Sequence, residues 1–176
     1  MVTAVAKVRP AKPSDACAIA RIHEETWLAT YQGVIPHLYL MRLIARRDGS
    51  WWSGVIRRSS TSVLVFTYNG DVQGYVSYGA SRSPRRANIG EIYELYLSPT
   101  YQGLGFGKEL FREAYKELKR DGRRSLLVWA LAENEMACRF YNHLGGRQCG
   151  SSPERYGDTT LHRVAFLWEP VSRHAL

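Results

Sequence analysis

The chain has 176 residues and a mass of 20.0 kDa, with 45% apolar and 23% charged residues, a composition that excludes disordered and fibrous classes and suits one domain over residues 1–176. Its formal charge of +8 and pI of about 9.6 favour anionic partners, but the basic residues are dispersed (Arg46-Arg47, Arg57-Arg58, Arg82 to Arg86, Lys119 to Arg124) and read as solvated faces rather than a nucleic-acid interface. Three cysteines without a CxxC pair, no apolar leader and no run of ~18–20 apolar residues argue against a disulfide framework, a metal site, a signal peptide and a membrane span, which leaves a cytoplasmic protein as the expectation.

In chain order, a short strand is expected around Ala4–Arg9, stopped by Pro10. Ser14 suits a helix N-cap with Asp15 in the first turn, and Ala16, Ile19, Ala20, His23 and Trp27 follow helical spacing to about Tyr31. Gly33 breaks that helix, a second begins at Pro36, and "GSWWSG" reads as loop or helix edge. "TSVLVFTY" and "DVQGYVSYG" are β-rich runs joined by Asn69-Gly70, a hairpin signal because both residues tolerate positive φ. After the basic loop "SRSPRRAN" comes a third strand, "EIYELYLS", closed by Pro99.

A helix follows from Gly105 to Arg120, with Leu110, Phe111, Ala114, Tyr115 and Leu118 on one face. "SLLVWAL" is a buried strand, Asn134 caps a short helix ended by Gly145-Gly146, and "LHRVAFLWE" is a last strand. The order predicts an α+β domain on one mixed, largely antiparallel sheet flanked by helices, with a parallel strand–helix–strand crossover at its centre.

That crossover contains "YQGLGFGKEL", three glycines within five positions at a helix start. Such a turn presents unpaired N–H groups and the positive end of a helix dipole to an anion. A Walker A loop is excluded, since Gln102 stands where its first glycine belongs and Glu109 replaces its hydroxyl. The dinucleotide fingerprint fails at Lys108. What remains is QxxGxG, satisfied by Gln102, Gly105 and Gly107.

With "ELYLSP" upstream and "ENEMACRFYNHLGG" downstream, this segment resembles the GNAT superfamily of N-acetyltransferases, and "VRPAKPSDACAIARIHEETW" looks like that family's first strand and helix. The resemblance implies a three-layer α/β arrangement with splayed central strands, acetyl-CoA as acetyl donor, and an amine as acceptor. It implies that the backbone of Gly103, Leu104, Gly105, Phe106, Gly107 and Lys108 holds the pyrophosphate, with Gln102 at the loop edge. It also places the pantetheine arm along Leu95, Tyr96 and Leu97, near Asn134, Ala137 and Phe140. On this reading a Cβ at Gly105 or Gly107 would keep the backbone away from the phosphates.

The chemistry asks for three things. An acceptor amine of pKa ~10.4 must lose a proton, at a cost of about 4–5 kcal/mol at pH 7 without help. The thioester carbonyl needs a donor, which backbone N–H near Leu95 can supply. The departing sulfur needs a proton, and Tyr141 occupies the position where the family commonly has a tyrosine for this; a core tyrosine on the Ala137/Phe140/Leu144 face is the plainer alternative. For the base, the resemblance implies Glu91, whose distance before QxxGxG is similar to that of the strand glutamate in family members that use one, with Glu94 or water alone as alternatives. Three residues apart, the two glutamates face opposite sides of a regular strand, and a bulge would reverse the assignment.

Acceptor selection falls to the first helix, the turn after it and the basic loop. The acceptor stays open among small amines, amino acids, antibiotics and protein amines, and members of the family are often homodimers. The competing readings are an acetyl-CoA sensor without catalysis, and an acyltransferase with another acyl group or an O-acceptor.

Overall fold

The computed structural model describes residues 5–82 and 88–169. β1 (Ala6–Pro10) leads into α1 (Ala16–Tyr31), α2 (His37–Ala45) and α3 (Gly49–Ile56). β2 (Thr61–Tyr68), β3 (Asp71–Ala80) and β4 (Ile89–Leu97) follow, then α4 (Phe106–Arg120), β5 (Ser125–Leu131), α5 (Glu135–His143), β6 (Arg147–Tyr156) and β7 (Thr159–Trp168). The strands form one sheet in the order β1-β2-β3-β4-β5-β7-β6, antiparallel except where β4 meets β5. The expected mixed sheet with a central parallel crossover through α4 is therefore what the chain builds.

The sheet is covered on both faces. Leu110, Phe111, Ala114 and Leu118 of α4 and Tyr141 of α5 pack on Val76, Ile92, Leu126 and Phe166. Across the sheet, Ile19 and Ile22 of α1 and Trp52 and Val55 of α3 bury Val65 and Tyr75. Alternation along β3 and β4 makes this possible, because neighbouring side chains leave a strand on opposite faces.

Several local expectations change. Asp15, rather than Ser14, organises the entry to α1: Pro13–Asp15 is a 3-10 turn, and the Asp15 carboxylate accepts from Lys12 N at 2.7 Å and from Arg9 Nη1 and Nη2 at 2.7 and 3.0 Å. "GSWWSG" is helical, since Asp48 caps it by accepting from Trp51 N at 2.8 Å. β6 is an additional strand at the sheet edge, where Pro153 is tolerated. Residues 83–87 of the basic loop, Arg85 and Arg86 among them, and Ala4 of the first strand lie outside the described residues. No helix among the described residues is long and apolar enough to cross a membrane.

Candidate active site

β4 and β5 pair only from Ile89↔Ser125 to Ile92↔Val128. Beyond that point the strands part, and β4 from Tyr93 to Leu97 keeps its antiparallel partner β3 on one edge only. A cleft of about 500 Å³ occupies the opening. Its walls are the far half of β4, the end of α1, the loop before α4 and the inner face of α5.

The loop enters the cleft as an uncapped helix start. Gly103 and Gly105 have φ of +74° and +90°, in the left-handed region where a side chain is strained, and an added Cβ at either would meet nothing within 4 Å. Their requirement for glycine is thus one of backbone conformation. Gly107 differs: its φ is ordinary, and a Cβ there would rest 3.5 Å from Leu97 and Phe140, so the expectation that it would obstruct the backbone needs a larger side chain. Gly105 is the N-cap of α4 and has no side chain to satisfy the first-turn N–H groups. Gln102 ties the loop back to β4, donating from Nε2 to Leu97 O at 3.0 Å.

Of the residues nominated for the cofactor, Leu95, Tyr96, Leu97, Gln102, Gly103, Gly105, Gly107, Lys108, Asn134, Ala137 and Phe140 line the cleft. Two side chains do not: Leu104 is exposed, and the Phe106 ring stacks on Phe66 at 4.2 Å in the core. Asn134 has two tasks, capping α5 by accepting from Ala137 N at 3.0 Å and donating from Nδ2 to Tyr31 Oη at 3.3 Å. The residues fit a pyrophosphate-bearing ligand on the observation of an open, side-chain-free helix N-terminus facing an unpaired strand edge.

Tyr141 lines the same cleft. Its ring packs among Phe111, Phe140, Phe166 and Trp168, so it is a core tyrosine that also borders the cleft. Burial pushes its phenol well up, with the nearby Tyr31 adding to the shift, and the proton stays on oxygen. Tyr31 and Tyr96 are raised by burial too.

The two glutamates part company. A bulge falls between Ile92 and Glu94, with Tyr78 opposite Ile92 and Ser77 opposite Glu94. The extra residue, Tyr93, brings Glu94 onto the same sheet face as Glu91, against the expectation for a regular strand. Glu94 lines the cleft and Glu91 does not. Glu91 is 2% exposed, its carboxylate accepting from Arg82 Nε, Nη2 and N at 3.0, 2.7 and 2.9 Å and from Ser81 Oγ at 3.2 Å. Glu94 accepts from Tyr75 Oη at 2.9 Å and pairs with Arg47.

Thr26, Thr30, Tyr31, Tyr93 and Trp129 also line the cleft. Tyr31 had a sequence signal, its place on the last turn of the first helix. Tyr93 and Trp129 had none, because their orientation depends on the bulge and on where the strands separate. Trp27 meets Tyr31 edge-on, ring centres 5.2 Å apart, and His37 lines a separate surface hollow with Gln32–Pro36.

The family profile for acetyltransferases of the GNAT family matches residues 19–145. The chain is 30% identical over 166 residues to the uncharacterized N-acetyltransferase YuaI of Bacillus subtilis (strain 168), covering 94% of each. It is 25% identical over 147 residues to the L-methionine sulfoximine/L-methionine sulfone acetyltransferase of Salmonella typhimurium (strain LT2), covering 84% of this chain and 83% of that protein. In fold it is similar to the PaiA N-acetyltransferase of Thermoplasma acidophilum, solved in complex with coenzyme A, with a TM-score of 0.73, 21% identity, and coverage of 91% of this chain and 98% of that one.

Proposed function

The chain belongs to the acetyltransferase (GNAT) family, and from that premise we propose that it moves the acetyl group of acetyl-CoA to an amine acceptor by direct attack in a ternary complex. The observation that carries the reading is the single cleft between the parted strands, which gathers an uncapped helix N-terminus, a cleft-lining tyrosine and a carboxylate. Acetyl-CoA supplies the activated acyl group as a thioester. The N–H groups from Gly103 to Lys108 hold its pyrophosphate, and the open edge of β4 at Leu95 to Leu97 aligns its arm.

Glu94, not Glu91, takes the amine's proton, directly or through water. Glu94 is supported by its place in the cleft lining, which Glu91 does not share. Tyr141 donates a hydrogen bond or a proton to the departing sulfur. The acceptor is an amine carried by a small molecule or a protein.

The test is a panel of amines incubated with acetyl-CoA and the full chain: polyamines, amino acids and their analogues, aminoglycosides, and peptides with a free N-terminus or lysine. Mass detection of an acetylated amine matched by release of free thiol is the expected result. Acetyl-CoA binding without transfer to any of them would favour a sensor.

A further inference from the structure

Behind Glu94 lies a buried polar chain that the proposed transfer does not by itself require. His23 of α1 is 1% exposed, and its Nδ1 lies 3.1 Å from Tyr75 Oη. Tyr75 of β3, fully buried, donates its hydroxyl to Glu94 Oε2 at 2.9 Å. From the turn between α2 and α3, Arg47 pairs with Glu94 Oε1 and lays its guanidinium over Trp51, 4.6 Å from the ring centre. Tyr96 of β4 stands beside Tyr75 at 5.9 Å.

The proton count on this chain is determinate. A carboxylate has no hydrogen to give, so the one hydroxyl proton of Tyr75 points at Glu94. The Tyr75 oxygen then has only lone pairs left for His23, and Nδ1 must carry the hydrogen. His23 is therefore the Nδ1–H tautomer with a bare Nε2. Burial, with the Arg47 charge adding to it, pushes His23 down to about 3, so the ring is neutral at working pH and its 3.9 Å approach to Glu94 is not an ion pair. Burial likewise holds the Tyr75 proton in place.

We propose that His23 and Tyr75 are positioning residues: they hold the Glu94 carboxylate charged and fixed at the cleft, and pass no proton themselves. A carboxylate withdrawn from water needs donors to remain charged. Arg47 meets one oxygen and the His23–Tyr75 chain meets the other. The inference rests on Glu94 being the base for the proposed transfer.

The test follows the Glu94 carboxyl directly, by carbon-13 NMR titration of the full chain with Glu94→Gln to assign the signal. The acidic limb of the pH–rate profile is measured beside it, with acetyl-CoA and the panel amine of highest turnover. Tyr75→Phe should raise both midpoints by about one pH unit, a tenfold change in proton affinity. His23→Leu should move both the same way by less. His23→Asn, which keeps a donor where Nδ1 stood, should restore them.

If both midpoints stay put in Tyr75→Phe and His23→Leu while Glu94→Gln removes the limb, the base stands and the positioning chain is overturned. If Glu94→Gln leaves the limb intact, the base assignment falls and this inference with it. Should the variants fail to fold, nitrogen-15 NMR of wild-type His23 decides: a neutral Nδ1–H ring is required, and an Nε2–H ring overturns the proposal.

Discussion

Glu91 and Glu94 lie three residues apart on β4, yet they stand opposite Gly79 and Ser77, two residues apart on β3. The bulge at Tyr93 absorbs the difference and turns both carboxylates to the same face of the sheet. They then meet different partners: Arg82 closes over Glu91 at one end of the strand, and Tyr75 and Arg47 fix Glu94 where β4 has left β5. The bulge thus puts Glu94 on the face where it lines the cleft.

Tyr141→Phe should lower turnover by ~10²-fold, within the usual contribution of a general acid, with the acetyl-CoA dissociation constant little changed. The ring contacts with Phe166 and Trp168 survive the substitution, so melting temperature should move little. Steady-state kinetics with calorimetric binding of coenzyme A checks both. Turnover equal to wild type would leave Tyr141 a packing residue.

Coenzyme A at a hundredfold excess over its dissociation constant should stabilise the fold by ~2.7 kcal/mol, a clear thermal shift. Gly107→Val is the informative variant, because its backbone φ is compatible with a side chain and its methyl groups would project beside Leu97 and Phe140 on the cleft wall. Measured against its own ligand-free melting point, Gly107→Val should lose most of the shift. A full shift would place the cradle elsewhere.

His23 predicts an acid sensitivity. Its folded value is held down at about 3 against an ordinary 6.5, so the unfolded chain binds the extra proton first as pH falls. The contribution is fully present above pH ~6.5 and is lost progressively towards pH ~3. Denaturant unfolding at pH 7.5 and pH 5 should therefore show wild type losing more stability than His23→Asn, which has no ring to protonate. Equal losses would contradict a buried neutral imidazole.

Where the structure rests on local backbone conformation, the sequence was readable. Gln102 to Gly107 announced a bare helix start through its glycines, Asn134 announced a cap, and Asn69-Gly70 announced a hairpin that forms with φ of 52° and 93°. Local chemistry sufficed there. Which glutamate lines the cleft depended instead on strand register, and the bulge that sets it belongs to the pairing with β3, which local spacing does not show.

The helix at Gly49–Ile56 was obscured by its two glycines, although Asp48 stood ready to cap it. β6 was obscured because Tyr156 is its only buried residue, so this edge strand needs no apolar alternation and "RQCGSSPERY" has little. Arg47 and Tyr75 reach Glu94 only through tertiary packing, so no spacing in the sequence marks them.

The most direct test of the account is the pH–rate profile of Glu94→Gln from pH 4 to 10, run beside wild type and Glu91→Gln with acetyl-CoA and the best amine of the panel. Glu94→Gln keeps the side chain's size but removes the charge proposed to receive the amine's proton. Its kcat should fall by ~10²-fold near pH 7, the acidic limb seen in wild type should disappear, and rate should recover as pH rises towards the amine's own pKa. Glu91→Gln should keep the wild-type limb and lose stability instead, because it weakens the Arg82 pair. A wild-type profile in Glu94→Gln alongside a displaced one in Glu91→Gln would contradict the assignment on which the account turns.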